Sequence, residues 1–358
     1  MKKIILAIDS FKGCMTSEEV ENAISSNLNS KEIEIHKIPM SDGGEGMLQA
    51  FISAMGGKIK EANVHDPLMR PITAPYGITS GGTAVIETAK ACGLTLMTAE
   101  ERNPMKASTY GVGELIIHAM HSGCRNFIIG LGGSGTSDCG AGMLRAISDS
   151  FPAEKNIKDI ICNEMKNCSF TLASDVRNPL YGPEGAARIF APQKGATENM
   201  VAELDERAKK FACESALIMG KDTSHEPGAG AAGGLGYAFL QYFHSTFRSG
   251  ADLLLDLSGF DSLLDGTDLV ITGEGHADAQ TLMGKLPERL LRRSQRHNIP
   301  VWLIAGRVSQ SNKLLSEGFQ RIYSITPECM PTEKAVIPDI ARENIKRWTE
   351  AHLLPIIR

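Results

Sequence analysis

Both ends of the chain alternate short apolar runs with amphipathic stretches. The run at residues 3–8 is rich in β-branched residues, which predicts a strand covered on both faces, as in parallel sheets, and residues 32–38 are predicted to form a second strand. The tail repeats this alternation, with predicted strands at 269–272, 301–305 and 322–325 and predicted helices at 286–296, 313–317 and 339–354. Five strands separated by helices predict an α/β fold with one doubly wound parallel sheet.

The middle of the chain has a different pattern. Short apolar runs at 59–64, 72–78 and 84–88 are separated by proline and glycine turns, which favours antiparallel or mixed pairing. Helical periodicity follows at 113–121, 140–149, 198–219 and 235–244. We therefore predict a discontinuous α/β domain formed by residues 1–62 and 265–358, and an inserted α/β domain with a mixed sheet formed by residues 63–264. We expect the active site in the cleft between the two domains.

Composition is that of an ordinary globular protein. The chain has 358 residues, of which 42% are hydrophobic and 22% charged, close to globular averages. A net charge of −5 without a long basic run disfavours a nucleic-acid partner. No apolar run reaches the roughly 18 residues of a membrane helix, and the eight cysteines form no CxxC pair. We expect a cytoplasmic protein with reduced thiols and no membrane partner; a homo-oligomer is compatible with this sequence.

Glycine is concentrated in four places. The 36 glycines cluster at residues 42–46, 130–142, 228–236 and 273–275. Because glycine permits close backbone approach and positive φ, such loops suit a ligand that carries phosphate. A tight turn is the alternative for any single cluster, but four clusters together favour a binding site.

The usual nucleotide-binding fingerprints are missing. Each of the three Gly-Lys pairs is followed by Ile, Asp or Leu, so the chain contains no Walker A loop. The GxGxxG pattern at Gly130, Gly132 and Gly135 follows an apolar run, but no strand ending in an acidic residue comes about 20 positions later. The loop instead carries hydroxyls and a carboxylate, at Ser134, Thr136, Ser137 and Asp138. These groups suit a polyphosphate and its magnesium, while helix capping is the alternative for the carboxylate.

Polar segments also follow the predicted strands of the parallel sheet. Residues 9–13, 42–46 and 273–285 each come after such a strand, and the carboxyl ends of parallel strands share one sheet edge. Their charged and hydroxyl side chains include Lys12, Asp42, Glu45, Glu274, Asp278, Thr281 and Lys285. The middle of the chain adds Asp175, Gln193 and Lys194, for which capping or loop roles stay open beside catalytic ones. The sequence therefore predicts a site for a charged ligand.

Long segments of the chain resemble one known family. They are DSFKG, PMSDGGEG, TAVIETA, RNPMKASTYGVGELI, IIGLGGSGTSDCGAGM, NPLYGPEGAARIFAPQKGAT, PGAGAAGGLG and DLVITGEGHADAQTLMGK, between residues 2 and 326. They are similar to motifs of the bacterial glycerate kinases of the glycerate 2-kinase type, which differ from sugar and P-loop kinases. The resemblance implies ATP-dependent, Mg2+-assisted phosphorylation of D-glycerate to 2-phosphoglycerate. It also implies a Rossmann-like domain with a second α/β domain inserted.

This resemblance implies roles for the polar loops. Catalytic roles are assigned to Asp42, Asp175, Lys12 and Lys285, with Asp42 preferred over Asp175 for orienting the attacking hydroxyl and the lysines neutralising charge. Nucleotide binding is assigned to Gly132, Gly133, Ser134, Gly135, Thr136, Gly273, Glu274 and Gly275. Substrate binding is assigned to Ser10, Gly43, Gly44, Glu45, Gln193 and Lys194. Magnesium is assigned to Asp138 and Asp278.

Departures and alternatives accompany this assignment. The chain has Gly135, Ser137 and Cys139 where the family usually reads Ala, Asn and Gly, and His276 where arginine is usual. A kinase of a related hydroxy acid such as tartronate is the nearest alternative. An NAD-dependent oxidoreductase using the GxGxxG loop, and a non-catalytic sensor of a sugar acid, are the others.

Overall fold

The computed structural model describes residues 1–11, 13–28, 33–41, 43–44 and 46–357. Its strands are β1 Lys2–Ile8, β2 Ile33–Lys37, β3 Gly57–His65, β4 Pro71–Thr79, β5 Ala84–Glu87, β6 Asn126–Gly130, β7 Ser169–Ala173, β8 Ser245–Arg248, β9 Leu269–Ala277, β10 Val301–Val308 and β11 Arg321–Ser324. Its helices are α1 Ser17–Ser25, α2 Met47–Met55, α3 Ala89–Cys92, α4 Tyr110–His121, α5 Ala141–Asp149, α6 Ile157–Asp159, α7 Ala186–Phe190, α8 Glu198–Met219, α9 Ala231–Tyr242, α10 Gly250–Leu257, α11 Phe260–Leu263, α12 Leu286–Gln295, α13 Ser311–Ser316, α14 Thr332–Ala335, α15 Pro338–Trp348 and α16 Leu354–Ile357. None of the described helices is long and apolar enough to cross a membrane.

The chain forms two compact units, Met1–Asp42 with Ala251–Arg358 and Gly43–Gly250. These bounds differ from the predicted ones at 62/63 and 264/265. Helix α2 falls in the second unit because it packs on β4, where a Cβ added to Gly77 would lie 2.6 Å from Ile52 Cδ1. Helix α10 falls in the first unit because Asp252 pairs with Arg293 of α12 at 3.2 Å.

The first unit contains a five-stranded sheet in the order β11-β10-β9-β1-β2. Every strand pair in this sheet is parallel, which confirms the predicted doubly wound sheet. From β1 the chain continues outward to β2 on one side, whereas β9, β10 and β11 follow one another on the other side. The strand order therefore reverses between β1 and β9, and the carboxyl ends of strands at such a reversal are where open α/β sheets bind ligands.

Helix α1 completes the hydrogen bonding of the β1 terminus. The pairing of β1 with β2 ends at Leu6, so the backbone of Ile8 has no partner on that side from the strand. The Ile8 N–H donates to Glu21 Oε1 at 3.3 Å, and the Ser17 hydroxyl donates to the Ile8 carbonyl. Burial raises the pKa of Glu21 well above its usual value. Two side chains of α1 thus hold the strand end that leads into residues 9–11.

The second unit contains a six-stranded sheet in the order β3-β4-β5-β6-β7-β8. Strands β3 to β5 pair antiparallel and strands β5 to β8 pair parallel, which confirms the predicted mixed sheet. Its core includes Phe127 and Phe170 on neighbouring strands, whose rings stack with centroids 4.7 Å apart, and Phe239 of α9. The carboxyl ends of the parallel strands lie at one edge of the sheet. Residues 131–140, called the glycine-rich loop below, follow β6 at that edge.

Helix α9 begins with a kink that sequence periodicity did not predict. The helix was expected at 235–244, but it starts at Ala231 and contains residues with positive φ at Ala232, Gly233 and Gly234. At Gly233 an added Cβ would lie 2.0 Å from the Thr136 carbonyl oxygen. Glycine is therefore required there, because the kink lets α9 approach the glycine-rich loop closely.

Candidate active site

The loop after β6 is held along one side by a segment that comes 40 residues earlier. The Leu94 N–H donates to the Gly133 carbonyl at 3.0 Å, and the Gly135 N–H donates to the Cys92 carbonyl at 2.8 Å. Gly133 has a φ of 73° and is exposed, whereas Ser134 and Gly135 are buried. The loop is thus a fixed backbone turn whose tip reaches solvent.

Gly43 and Gly44 lie against the same loop. The Gly132 N–H donates to the Gly43 carbonyl at 3.2 Å, and a Cβ added to Gly132 would lie 2.5 Å from Gly44 Cα. A Cβ added to Gly43 would lie 2.5 Å from the carbonyl oxygen of Ala173, the last residue of β7. The structure therefore brings together predicted substrate-binding and nucleotide-binding glycines. The neighbouring Asp42 and Glu45 lie outside the described residues.

Lys194 supports this loop from the protein interior. Its Nζ donates to Ser134 Oγ at 3.0 Å and to the Thr136 carbonyl at 2.7 Å, and the residue is 3% exposed. Burial lowers the pKa of Lys194 to about 8, although Cys92 and Asp138 act in the opposite direction. Because Ser134 Oγ accepts from the ammonium group, its own O–H is directed elsewhere and can donate to an anion. The adjacent Gln193 is exposed.

A second hydroxyl of the loop is buried and unused. Ser137 is 8% exposed, and its Oγ has no hydrogen-bond partner among the described residues. Buried polar atoms in proteins are nearly always paired, so an exception needs an explanation. Here a ligand with oxygen acceptors would supply the missing partner.

Asp138, a predicted metal ligand, accepts hydrogen bonds at both of its carboxylate oxygens. Its Oδ2 accepts from the Thr109 N–H and hydroxyl, each at 2.8 Å, and from the Gly142 N–H at 3.1 Å. Its Oδ1 accepts from the Gly140 N–H at 3.1 Å. These four contacts use both carboxylate oxygens, three of them at Oδ2 and one at Oδ1. Asp138 therefore joins the starts of α4 and α5.

In the first unit, the predicted loop from Gly273 to Gly275 is part of strand β9. The strand extends to Ala277, and Glu274 pairs with Ala305 of β10. A Cβ added to Gly273 would lie 2.3 Å from the Ile304 carbonyl oxygen. Glycine stands there because neighbouring strands approach closely, which corrects the prediction that these residues begin a phosphate-binding loop.

Glu274 gathers the side chains of the segment that follows β9. The carboxylate is buried and accepts from the Thr281 hydroxyl at 2.6 Å and from Lys285 Nζ at 3.1 Å. Asp278 Oδ1 accepts from the Gln280 N–H at 2.8 Å, and the Asp278 N–H donates to Thr281 Oγ1 at 3.0 Å. The segment is therefore a closed hydrogen-bonded turn that holds Lys285 at its exposed end.

Two further predicted residues lie at carboxyl ends of strands. Ser10 follows β1, where the Asp9 N–H donates to the Gly273 carbonyl at 2.9 Å and the Ser10 N–H donates to Asp9 Oδ1 at 2.7 Å. Asp175 follows β7 and is exposed; Ser249 Oγ donates to its Oδ2 at 3.3 Å. Lys12 lies outside the described residues.

Comparison with known proteins decides the family. Residues 4–354 match the model of the glycerate kinase family. The chain belongs to the glycerate kinase family. Membership makes it a phosphotransferase that takes its phosphoryl group from ATP and phosphorylates glycerate, and it rules out the oxidoreductase and sensor alternatives.

Individual relatives agree with the family assignment over nearly the whole chain. A glycerate kinase of Bacillus subtilis is 38% identical and the alignment covers 93% of this chain and 92% of that protein. A glycerate 2-kinase of Escherichia coli is 36% identical, with 90% of each chain covered. A crystal structure assigned to glycerate kinase 2 of Salmonella typhimurium superposes with a TM-score of 0.83 at 33% identity, covering 99% of this chain and 98% of that chain.

Magnesium is the metal that a glycerate kinase implies. The described side chains fit a Mg2+ ion that keeps most of its water ligands, rather than one enclosed by protein ligands. Among the described residues, no three His, Cys, Asp or Glu side chains come together as a metal cage. Mg2+ keeps several waters and binds one or two carboxylates together with substrate phosphates. The Asp278 carboxylate accepts only from two backbone N–H groups of its own turn, those of Gln280 and Thr281, within the described part of the chain, and it is half-buried rather than enclosed. Asp138 accepts four hydrogen bonds, at both of its oxygens.

Two residues of this glycerate kinase site were missed by sequence reasoning. Thr109 bridges Asp138 and the Met143 N–H, to which its hydroxyl oxygen lies at 3.0 Å. Cys92 supplies a carbonyl to the glycine-rich loop and lies near Lys194, and burial raises the pKa of its thiol to about 12. Neither residue has a local spacing signal, since each acts on the loop from a distant part of the chain.

Proposed function

We propose that this glycerate kinase acts on D-glycerate and transfers the γ-phosphoryl group of ATP to the 2-hydroxyl, giving 2-phosphoglycerate. The position of phosphorylation is supported by the Escherichia coli relative, which is named glycerate 2-kinase. The observation on which the chemistry rests is the buried Lys194 beneath the glycine-rich loop, where it donates to Ser134 and Thr136.

Lys194 and the loop suit the charge that moves in phosphoryl transfer. The reaction needs positioning and charge neutralisation more than covalent chemistry. The ammonium group polarises the Ser134 hydroxyl, which then donates a charge-assisted hydrogen bond to a phosphate oxygen. Ser137 supplies a second buried hydroxyl with no partner of its own among the described residues. Groups fixed before the reaction stabilise the transition state without reorganisation.

Further roles are proposed for charged residues, polar residues and glycines outside the loop that follows β6. Asp42 orients the attacking hydroxyl, with Asp175 as the second choice, and Lys12 and Lys285 neutralise negative charge. Gly273, Glu274 and Gly275 take a role in backbone positioning beside a nucleotide, rather than that of a loop. Ser10, Gly43, Gly44, Glu45 and Gln193 bind the substrate.

Magnesium bound with ATP would neutralise the charge of the phosphate groups, and Asp278 is the carboxylate proposed to hold it. Asp278 can do so without losing its contact to Gln280, because that contact uses Oδ1. Lys285 is available to phosphate in the same turn, where it lies 3.1 Å from Glu274.

One product analysis tests the proposed reaction. The purified protein is incubated with Mg-ATP and either D-glycerate, L-glycerate or tartronate, and the products are identified by phosphorus and carbon NMR. We expect 2-phosphoglycerate from D-glycerate, with a much smaller kcat/KM for the other two acids. Phosphate attached at carbon 3, or preferential turnover of tartronate, would contradict the proposal.

A further inference from the structure

Arg102 is a half-buried arginine whose guanidinium group has no acceptor among the described residues. Its Nε is buried, and no described residue accepts a hydrogen bond from it. Within the described residues the guanidinium makes no ion pair, and the adjacent Glu101 is occupied by Arg70 at 2.7 Å and by the Thr98 N–H at 3.0 Å. Glu100 is exposed, and the charge of Arg102 makes the smallest of the contributions that lower the pKa of Glu100. A guanidinium has five donors, and structural arginines use several of them.

The position of Arg102 is set by the elements that shape the glycine-rich loop. Gly195 directly follows Lys194 and has a φ of 94°; an added Cβ there would lie 2.6 Å from the Arg102 carbonyl oxygen and 3.2 Å from Arg102 Cβ. Arg102 therefore packs against the turn that carries the buried lysine. Upstream, the chain that leads to Arg102 includes Cys92 and Leu94, which hydrogen-bond the loop.

The chemistry of an unpaired arginine in this place indicates an oxyanion. Buried donors are nearly always satisfied in proteins, so a lasting exception marks a group kept for a ligand. Arginine presents parallel N–H groups that match a carboxylate or a phosphate in a two-pronged geometry. The reactants of a glycerate kinase carry both groups.

We propose that Arg102 binds an oxyanion of the reactants, either the carboxylate of the hydroxy acid or a phosphate of the nucleotide. The proposal rests on the proposed function, since that function supplies the two anions. It adds Arg102 to the binding residues near the loop. The assignment made from the sequence did not include this residue. Arg102 and Lys194 then have separate tasks, because Lys194 donates to Ser134 and Thr136 whereas the guanidinium of Arg102 makes no ion pair within the described residues.

Calorimetric binding of the two reactants tests this proposal and identifies the anion. The variants are Arg102→Met and Arg102→Lys, with Arg207→Met as the matched control, because Arg207 is an exposed arginine of the same unit that pairs with Glu203 at 2.6 Å. The Kd of D-glycerate and the Kd of Mg-ADP are measured separately, together with thermal unfolding.

We expect Arg102→Met to raise the Kd of one of the two ligands by about tenfold or more, since charge-assisted hydrogen bonds of this kind commonly contribute that much to binding. The other ligand should bind within about twofold of the wild type. A higher Kd for D-glycerate would show that Arg102 binds the carboxylate of the hydroxy acid. A higher Kd for Mg-ADP would show that it binds a phosphate of the nucleotide. Arg102→Lys should be intermediate, because lysine keeps the charge but loses the two-pronged geometry. Arg207→Met should bind like the wild type.

The outcomes separate this inference from the proposed function. A wild type that binds both ligands, with a folded Arg102→Met variant that binds them equally well, overturns the role of Arg102 alone. A wild type that binds D-glycerate and Mg-ADP but gives no 2-phosphoglycerate overturns the proposed product and leaves the Arg102 result to be judged by its Kd. A wild type that binds neither ligand overturns both. If Arg102→Met unfolds, the Arg102→Lys variant decides, and an unchanged Kd for both ligands counts against the role.

Discussion

Lys194 in the second unit and Lys285 in the first hold a lysine ammonium group in two different ways. Lys285 lies at the end of a hydrogen-bonded turn, is 43% exposed in its side chain and pairs with Glu274 at 3.1 Å. Lys194 is buried and donates to a hydroxyl and a backbone carbonyl rather than to a carboxylate. The first arrangement keeps a solvated, neutralised cation, and the second builds a cation into the loop itself.

From this difference we expect the two regions to contribute unequally to the proposed binding of phosphate. A buried charge without a counter-ion is unfavourable unless something else stabilises it. A bound anion would provide that stabilisation for Lys194, whereas Lys285 already has Glu274. We therefore expect changes at the loop of the second unit to impair turnover more than changes at the turn of the first.

The largest effect is expected from Lys194→Met. Losing a preorganised cation should lower kcat/KM by about 100- to 1000-fold. The unfolding temperature should change little, because removing the desolvated ammonium group offsets the loss of its hydrogen bonds to Ser134 and Thr136. Steady-state kinetics and calorimetry measure the two effects. Lys221→Met is the control, since Lys221 is an exposed lysine of the same unit. A stable variant with wild-type kcat/KM would make Lys194 a purely structural residue.

The kink of α9 gives the second prediction. Gly233→Ala should lower kcat/KM by about 100-fold, because its Cβ would push the Thr136 carbonyl, and displacements near 1 Å can have that effect. Gly220→Ala is a matched control: Gly220 has a φ of 74° against 68° at Gly233, but nothing lies within 4 Å of its Cβ position. Backbone strain is then similar in both variants. Equal activity in the two would mean that the loop tolerates displacement.

The pH dependence of Lys194 gives the third prediction, in which activity and stability move in opposite directions. Turnover should fall about tenfold per pH unit above its pKa of about 8, as the ammonium group loses its proton. The folded pKa lies below the ordinary value of 10.5, so the unfolded chain binds more protons between the two values. Stability should therefore rise with pH across that window. Rate profiles and denaturant unfolding from pH 7 to 10.5 check both signs, and Lys194→Met should lose this contribution from both curves.

How far the sequence predicted this molecule depends on the range of the interactions involved. The five-stranded parallel sheet was predicted because short apolar runs alternate with helical stretches at both ends of the chain, a local signal that is strongest at the buried strands β1, β9 and β10 and weaker at the edge strands β2 and β11. The loop character of Gly273 to Gly275 was wrong, since glycine serves close strand packing as well as turns. Lys194 was predicted as a substrate ligand, and its burial under Ser134 and Thr136 depends on contacts across about 60 positions. Asp138 was predicted as a metal ligand, although capping had been the alternative, and its partner Thr109 comes 29 positions earlier.

The turn of the first unit should show a smaller effect in Lys285→Met. We expect kcat/KM to fall by about tenfold through loss of one solvated cation near phosphate. The free energy of unfolding should change by less than about 1 kcal/mol, because the pair with Glu274 is partly exposed. Kinetics at saturating and limiting Mg-ATP and denaturant unfolding measure these changes, with the exposed Lys313→Met as control. A loss as large as that of Lys194→Met would remove the distinction between the two lysines.

The smallest effect is expected from Asp278→Asn, which compares the two carboxylates first assigned to magnesium. An asparagine oxygen can still accept from the Gln280 N–H, so stability should change by less than about 0.5 kcal/mol. If Asp278 holds the metal, the Mg2+ concentration for half-maximal rate should rise a few-fold, because a neutral amide is a weaker ligand than a carboxylate. Asp138→Asn should instead affect stability and not the Mg2+ requirement. Its amide nitrogen cannot accept from the donors that now fill the carboxylate, so the variant should lose about 1–3 kcal/mol of stability with the Mg2+ requirement unchanged. A Mg2+ requirement that shifts in Asp138→Asn and not in Asp278→Asn would move the metal to the loop of the second unit.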